Sequence, residues 1–374
     1  MDKNFFGAIA TLVGTIIGAG VLGIPYVVAK SGFLVGLVHL LILGFAIVFG
    51  NLYIAEVSLR TKKTHQLAGY AEKYLGKKGK LLMFLATLIS VYGAMIAYLI
   101  GEGASLNALF NINPTIAILG FFLIMAVLIY KGLNVIKGWE LTLGCIMLFI
   151  LLLIVGFSFP QMNLQNLLHL DLRYALLPYG VILFAFLGAL AVPEMKELLT
   201  KNKKQLKKAV IIGSLIPLIF YVLFVLVTVA VTGLRTNQIA TIGLGKVVGT
   251  HMLILGNLFA ILSMATSFLA LALGLKWTYQ YDYKLNKHLA WALTMFVPLV
   301  LVLLKVTNFI QAIGISGAIA GGLEGTLIVF MFHRARKNSE RKPEFKVKTN
   351  LVISCLLVAI FIGGIIYTIL QLLS

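Results

Sequence analysis

The sequence predicts an all-α, polytopic membrane protein with eleven transmembrane helices. Of its 374 residues, 60% are hydrophobic and 11% are charged, and the mean hydropathy is +1.02. About a quarter of the residues of a soluble domain are charged, so a water-soluble globule is excluded. Lipid satisfies no backbone polar group, and the apolar stretches are too long and uniform for barrel strands. Helices are therefore expected.

Eleven apolar stretches with few charges are the candidate helices. They run approximately over residues 5–29, 33–58, 81–109, 114–130, 133–157, 174–195, 209–232, 251–275, 288–304, 309–332 and 350–372. The first stretch lacks a convincing cleavage site and leads into further helices, so we expect it to be retained rather than removed as a signal peptide. Residues 65–76 carry apolar residues at helical spacing beside charged ones, which predicts a short helix in the membrane interface.

The basic residues predict the orientation in the cell membrane. With the N-terminus in the cytoplasm, the outer connections keep only five of the 31 Lys and Arg residues, as the positive-inside rule requires. These five are Lys30, Arg173, Arg235, Lys246 and Lys305. An odd number of crossings then places the C-terminus outside. The net charge of +19 thus indicates topology and contact with anionic lipid rather than nucleic acid binding.

The sequence lacks the residues that several other protein classes require. Cys145 and Cys355 lie in different apolar stretches, so no disulfide framework or zinc site is predicted, and no cofactor is expected. Residues 314–317 read GISG, as in rhomboid-type proteases, but no histidine base follows in the last helix, which leaves an intramembrane protease a remote alternative. The chain has no P-loop and no TVGYG filter. An enzyme is not expected.

Two candidate helices are interrupted at matching positions. Residues 14–25 read GTIIGAGVLGIP and residues 184–193 read FAFLGALAVP, each near the middle of its stretch. Transporters built from inverted repeats break one helix in each half in this way. The sequence therefore predicts a first five-helix repeat over 1–157, an inverted second repeat over 158–332, and a basic connection with the eleventh helix over 333–374.

Broken helices predict a site for a zwitterion. Free amides at the N-terminus of one half-helix bind a carboxylate, while freed carbonyls at the end of another accept from an ammonium group. Such a site needs no buried ionised side chain, which is expensive inside a bilayer.

These residues resemble the aromatic and hydroxy amino acid permeases of the amino acid, polyamine and organocation transporter superfamily. The stretch GTIIGAGVLGIP looks like the family's first-helix signature, and Thr266–Leu275, reading TSFLALALGL, resembles its eighth-helix pattern. The resemblance covers about ten helices and implies the leucine-transporter-type fold and secondary active uptake. Leu275-Lys276-Trp277 departs from the pattern, in which an aromatic and then an acidic residue would follow.

The resemblance also implies where the substrate binds. The amides of the first break would face the substrate carboxylate and the carbonyls of Phe184, Ala185 and Phe186 its ammonium group. Phe186 would additionally form an aromatic lid, and Tyr98 would reach the substrate from the third helix. The expected substrate-binding residues are Thr15, Ile17, Gly18, Ala19, Gly20, Tyr98, Phe184, Ala185, Phe186 and Gly188.

The sequence leaves the coupling ion open between a proton and sodium. A proton needs a carboxylate within the bundle, and Glu324 is the deepest candidate, ahead of Glu102. Glu140 and Glu194 lie closer to helix ends, and Glu56 precedes Arg60 by one helical turn and is expected to form a structural ion pair.

A sodium ion would instead use hard oxygen ligands. The resemblance implies a site at the carbonyls of Gly14 and Ile17 with the hydroxyls of Ser263, Thr266 and Ser267. Such hydroxyls in membrane helices most often bond to their own backbone.

The sequence thus predicts a proton-coupled importer of tryptophan or tyrosine that works by alternating access. The alternative is a sodium-coupled symporter of small or branched neutral amino acids. An amino acid substrate and membrane lipid are the expected partners, and a monomer is expected to suffice for transport.

Overall fold

The structure, a computed structural model, describes residues 3–132, 140–200, 202–348 and 350–373, with the side chains of 140–145, 281 and 282 left out. The side chain of Glu140 therefore lies outside the described part. Within these ranges the regular secondary structure is helical, and the sole β-type pairing is an isolated bridge between Gly32 and Leu170. The predicted all-α class is confirmed.

Fifteen α-helices make up the described chain. In order they are α1 (Lys3–Ile16), α2 (Gly20–Ser31), α3 (Phe33–Arg60), α4 (Leu67–Phe110), α5 (Pro114–Lys131), α6 (Glu140–Ser158), α7 (Leu177–Ala185), α8 (Val192–Leu198), α9 (Leu206–Thr232), α10 (Ala240–Val248), α11 (Thr250–Trp277), α12 (Lys287–Leu303), α13 (Phe309–Ile315), α14 (Gly322–Lys337) and α15 (Leu351–Leu373). In this part of the chain eight helical stretches are long and apolar enough to cross a membrane, or nine when α1 and α2 count as one bent span. Two shorter apolar helices, Ile146–Gln161 and Lys287–Leu303, lie where the fifth and ninth crossings are predicted.

The elements follow the apolar stretches closely, with one difference. The short helix predicted over residues 65–76 is present as the first part of α4, which begins at Leu67 and is broken at Gly76, where φ is +76°. The connection 232–250 contains α10, which the sequence did not predict. This helix packs on α11 so closely that a Cβ on Gly256 would lie 2.9 Å from the Cβ of Thr241.

A stripe of glycines lets the helical stretch Phe309–Lys337 approach its neighbours. A Cβ on Gly317 would lie 2.6 Å from the backbone nitrogen of Phe184, and one on Gly325 would lie 2.5 Å from the ring of Phe361. Between α13 and α14 the helix widens into a π-helical segment over Ser316–Gly321, which packs against α7. The glycines of this span serve close packing, as small residues commonly do in membrane helices.

A buried ion-pair cluster holds together one end of the bundle, which we call the basic face. Glu56 is fully buried, and its carboxylate accepts from Arg60 (2.8 Å) and Arg336 (2.9 Å). The backbone amide of Val347 donates to the second oxygen at 2.5 Å. The ion pair between Glu56 and Arg60 was predicted and is confirmed. Arg336 and Val347 are distant in sequence and reach Glu56 only in the folded protein.

The same face carries further polar links. The Lys196 ammonium group of α8 donates to the carbonyl of Ser58 at 2.7 Å. Glu340 accepts from the side chain of Lys73 and from the backbone amide of Lys62, and these two donors hold the pKa of Glu340 below its usual value. The 338–347 connection is thereby tied to α3 and α4.

Replacing Glu56 by alanine should destabilise the fold by about 3–5 kcal/mol, because a buried ion pair that loses one partner leaves uncompensated charge. Thermal unfolding of the purified protein in detergent measures the effect. The matched control is Glu72→Ala, since Glu72 pairs with Lys80 on the surface (2.9 Å), and exposed pairs contribute little. Equal melting temperatures for the two variants would contradict this assignment.

Candidate functional site

The first helix break lies between α1 and α2, which meet at 52°. Gly18 donates its N–H to the carbonyl of Ile16, two residues back, at 2.9 Å, so the α-helical pattern ends there. Ala19 precedes the first turn of α2, and no side chain caps that turn. The first amides of a helix have no partner within it and carry partial positive charge. The break therefore presents an uncapped helix N-terminus in the middle of the bundle.

The second break lies between α7 and α8. Phe186 follows the last residue of α7, and the N–H of Leu187 turns back to the carbonyl of Phe184 at 3.1 Å. Gly188 lies outside the helical region, with φ −150° and ψ 0°, and precedes a single 3-10 turn. The carbonyl end of α7 is thereby left at the break, with partial negative charge.

The two breaks touch each other through glycine. A Cβ on Gly20 would lie 2.6 Å from the Cα of Ala185, and a Cβ on Gly188 would lie 2.6 Å from the side chain of Ile16. Real Cβ atoms essentially never approach so closely. The positive end of α2 and the negative end of α7 are therefore neighbours.

A fully buried tyrosine joins the same two breaks and was not predicted. The Tyr221 hydroxyl of α9 donates towards the carbonyls of Ile16 (2.8 Å) and Ala185 (2.9 Å). The available signal was a tyrosine in the middle of an apolar stretch, since a buried hydroxyl needs a partner. Its partners are backbone atoms of other segments, which no side-chain pattern reveals.

A cavity of about 70 Å³ lies at the breaks. The expected substrate-binding residues that line it are Thr15, Gly18, Gly20, Tyr98, Phe184, Ala185 and Gly188. Ile17 and Ala19 are buried beside it without lining it. The ring of Phe186 packs 5.1 Å from that of Tyr221, so Phe184 rather than Phe186 borders the cavity in this structure.

A second cavity, of about 210 Å³, adjoins the first through the shared residues Thr15, Tyr98 and Leu271. Its other lining residues include Thr11 of α1 and the exposed Glu194 of α8, which places it on the basic-face side of the breaks. On the opposite side the helices are packed tightly. There, for example, a Cβ on Gly23 would lie 2.6 Å from Ile313. Of the two sides of the breaks, the described cavities therefore open towards the basic face.

The residues of the expected sodium site are only partly brought together. Gly14, Thr266 and Ser267 line the larger cavity. The Thr266 hydroxyl donates to the carbonyls of its own helix at Leu262 (2.8 Å) and Ser263 (3.1 Å). Ile17 lines neither cavity.

Ser267 and Tyr98 meet at the first break. A Cβ on Gly18 would lie 3.1 Å from the Ser267 hydroxyl oxygen and 3.6 Å from that of Tyr98. A side chain at position 18 would therefore enter the space that both hydroxyls border.

The two carboxylates expected to bind a proton lie in different surroundings. Glu324 lines the smaller cavity, is 5% exposed, and forms no ion pair with any described cation. Glu102 is fully buried, and both of its oxygens lack a hydrogen-bond partner. A buried polar group without a partner is costly.

Helix register places Glu102 opposite Ser263. Tyr98 and Ser267 both lie within 4 Å of a Cβ on Gly18, and Gly101 meets Met264, so α4 and α11 run antiparallel. Glu102, one turn after Tyr98, therefore lies at the level of Ser263, one turn before Ser267. The Ser263 hydroxyl also lacks a partner. The structure thus has two candidate acids. Glu324 lines the smaller cavity, and Glu102 lies between α4 and α11, one helical turn beyond the cavity residue Tyr98.

The chain matches the model of the tryptophan/tyrosine permease family over residues 1–371. It is 27% identical over 369 residues to tyrosine-specific transport system 1 of Haemophilus influenzae, which covers 92% of this chain and 91% of that relative. It is 26% identical over 335 residues to glutamine transporter 2 of Aliivibrio fischeri, covering 85% and 86%. Its fold is similar to that of Mhp1 in an inward-facing conformation, with a TM-score of 0.68, 16% identity, and coverage of 98% and 89%. The chain belongs to the tryptophan/tyrosine permease family.

Replacing Gly18 by leucine should abolish binding of labelled tyrosine and tryptophan, because the new side chain would fill the space beside Ser267 and Tyr98. Scintillation-proximity binding to the purified protein measures this. The matched control is Gly7→Leu in the same span, where no atom lies within 4 Å of an added Cβ. Normal binding by Gly18→Leu would show that substrate does not occupy this break.

Proposed function

We propose that this member of the tryptophan/tyrosine permease family is a secondary active importer of amino acids, with aromatic amino acids as its substrates. The observation that carries the proposal is the meeting of two helix breaks, an uncapped N-terminus and a carbonyl end, at one cavity in the middle of the bundle. The chain's relatives are transporters by name, which fits a protein that is not an enzyme.

The two helix ends would divide the recognition of the substrate backbone. Amides of Ile17, Gly18, Ala19 and Gly20 would bind the carboxylate, as helix N-termini bind anions. Carbonyls at the end of α7 would accept from the ammonium group. Each carbonyl oxygen has two lone pairs, so bonds already made inside the protein leave acceptor capacity.

The substrate side chain would extend past Phe184 and Tyr98 towards the larger cavity. Pockets for small ligands usually measure roughly 300–1,000 Å³, so the cavity of about 70 Å³ at the breaks accommodates the backbone end of an amino acid better than a whole aromatic one. A small or branched neutral amino acid is the second candidate, and the similarity to a glutamine transporter favours testing it.

Transport would follow the eleven-helix plan. In this proposal residues 1–157 and 158–332 are inverted five-helix repeats, and 333–374 adds the last helix. The two short apolar helices would provide the fifth and ninth crossings. The N-terminus and the basic face would be cytoplasmic and the C-terminus external. The cavity that opens to the basic face would then be the inward-facing state of an alternating-access cycle.

We propose that the driving ion is a proton. Glu324 is the first candidate for the residue that carries it, and Glu102 is the second. Glu324 lies at the substrate cavity without a cationic partner, so its protonation and substrate binding can influence each other directly. Sodium at Gly14, Ile17, Ser263, Thr266 and Ser267 is the alternative. The Thr266 hydroxyl bonds its own backbone, which favours the proton.

Uptake into proteoliposomes tests the proposal. Labelled tryptophan, tyrosine, leucine, alanine and glutamine are offered with a proton gradient or a sodium gradient imposed separately. We expect concentrative uptake of tryptophan or tyrosine under the proton gradient alone. Uptake that requires sodium would overturn the assigned ion, preference for leucine or alanine would overturn the aromatic substrate, and no uptake of any amino acid would overturn the function.

Glu324→Gln should separate binding from coupling. The amide keeps the volume but carries no exchangeable acid, so we expect proton-driven accumulation to fall to the level of protein-free liposomes while substrate exchange across the membrane continues. The control is Glu72→Gln on the surface of α4. Wild-type accumulation by Glu324→Gln would exclude it as the proton carrier and move the same test to Glu102→Gln.

A further inference from the structure

The Tyr221 hydroxyl connects two segments that are separated by a helix break from the rest of their own spans. Ile16 is the last residue of α1, and Ala185 is the last residue of α7. The hydroxyl oxygen lies 2.8 Å from the first carbonyl oxygen and 2.9 Å from the second. A single O–H group donates one proton, so the two carbonyls share it.

Close packing surrounds this connection. A Cβ on Gly213, two turns before Tyr221 on α9, would lie 3.0 Å from Leu12 of α1. A Cβ on Gly188 would lie 2.6 Å from the Ile16 side chain, and a Cβ on Gly20 would lie 2.6 Å from the Cα of Ala185. The hydroxyl therefore lies at the centre of a contact in which α1, α7 and α9 leave no room for one to slide past another.

A break of three residues is a natural hinge, since the hydrogen bonds that would keep the two halves collinear are missing. Packing keeps α1 from sliding past α7 and α9, but a hinge at residues 17–19 lets α1 swing unless a directional link opposes it. Tyr221 supplies that link at the hinge itself, where a small displacement of α1 would pull the Ile16 carbonyl away from the hydroxyl. A carbonyl at a helix end inside a bilayer has few other donors available.

We propose that Tyr221 is a positioning residue that makes α1 and α7 move as one body with α9, so that α1 does not open as a separate gate. The proposal rests on the transport function proposed above and specifies how its inward opening occurs. It also fixes the spacing between the carbonyl end of α7 and the first break, and hence the spacing of the two groups that would bind the substrate backbone.

Tyr221→Phe tests this role by removing the hydroxyl and keeping the ring. Spin labels are placed on α1 and α9 at Phe6→Cys and Ile212→Cys, both exposed positions, after serine has replaced the two native cysteines. With Tyr221 present we expect one narrow distance distribution between the labels. In the Tyr221→Phe variant, which lacks the hydroxyl donor, we expect the distribution to broaden and shift to longer distances.

Two controls separate this effect from general loosening. Tyr53→Phe removes another fully buried tyrosine hydroxyl, one that bonds Ser354 at 3.3 Å away from the breaks, and should leave the distribution narrow. A second label pair on α4 and α12, at Leu85→Cys and Leu289→Cys, should be unchanged by Tyr221→Phe. A distribution between α1 and α9 that stays the same in Tyr221→Phe would overturn the proposal.

Substrate affinity gives an independent readout. Loss of the hydrogen bond should weaken tyrosine or tryptophan binding roughly two- to tenfold, as expected for one net hydrogen bond, and Tyr53→Phe should not.

If Tyr221→Phe does not fold, hydrogen exchange of the native protein replaces it. The amides before the two breaks, on α1 and α7, should then exchange at one common rate, and clearly different rates would contradict the link. The distance measurement needs no transport, so it can fail while the proposed function holds, and the reverse is equally possible.

Discussion

The architecture depends on one constraint, which is that a backbone polar group inside a bilayer must be satisfied by the protein or face a cavity. Most of the described chain meets it with continuous helices. The two breaks, at residues 17–19 and 186–188, are not continuous helix. Their unbonded backbone groups face the other break, the buried Tyr221 hydroxyl or a cavity. The breaks are therefore tolerated because they lie together, and neither would be stable facing lipid alone.

This arrangement also explains why the centre of the protein holds few charges. The helix ends provide partial charges of both signs that are fixed in direction by the fold. Glu324 and Glu102 are the described acids near the centre, and neither forms an ion pair with a described cation. The ion pairs that stabilise the fold are instead collected at the basic face, where Glu56 has three partners.

The sequence was most informative where local chemistry decides the structure. Long apolar stretches predicted the helices to within a few residues, and the run from Gly14 to Pro25 predicted the first break, because dense small residues and a proline act on the chain around them. It was least informative where distant segments meet, so neither Tyr221 nor α10 was predicted, and the direction of Phe186 depends on helix rotations. Lys276 illustrates the same limit. Its ammonium group, a departure from the resembled pattern, donates to the Ile129 carbonyl at 2.6 Å and so caps the end of α5.

The Glu56 cluster has a consequence for how the chain is made. Arg60 lies four residues away, so this acid is neutralised as soon as α3 forms, whereas Arg336 and Val347 are 280 and 291 residues further along. Chains are synthesised from the N-terminus, and early segments must wait for late ones. The early helices can thus enter the bilayer with a local ion pair, and the basic face closes only after α14 and the connection behind it have left the ribosome. Completion of the cluster therefore requires that the chain has been translated through Val347.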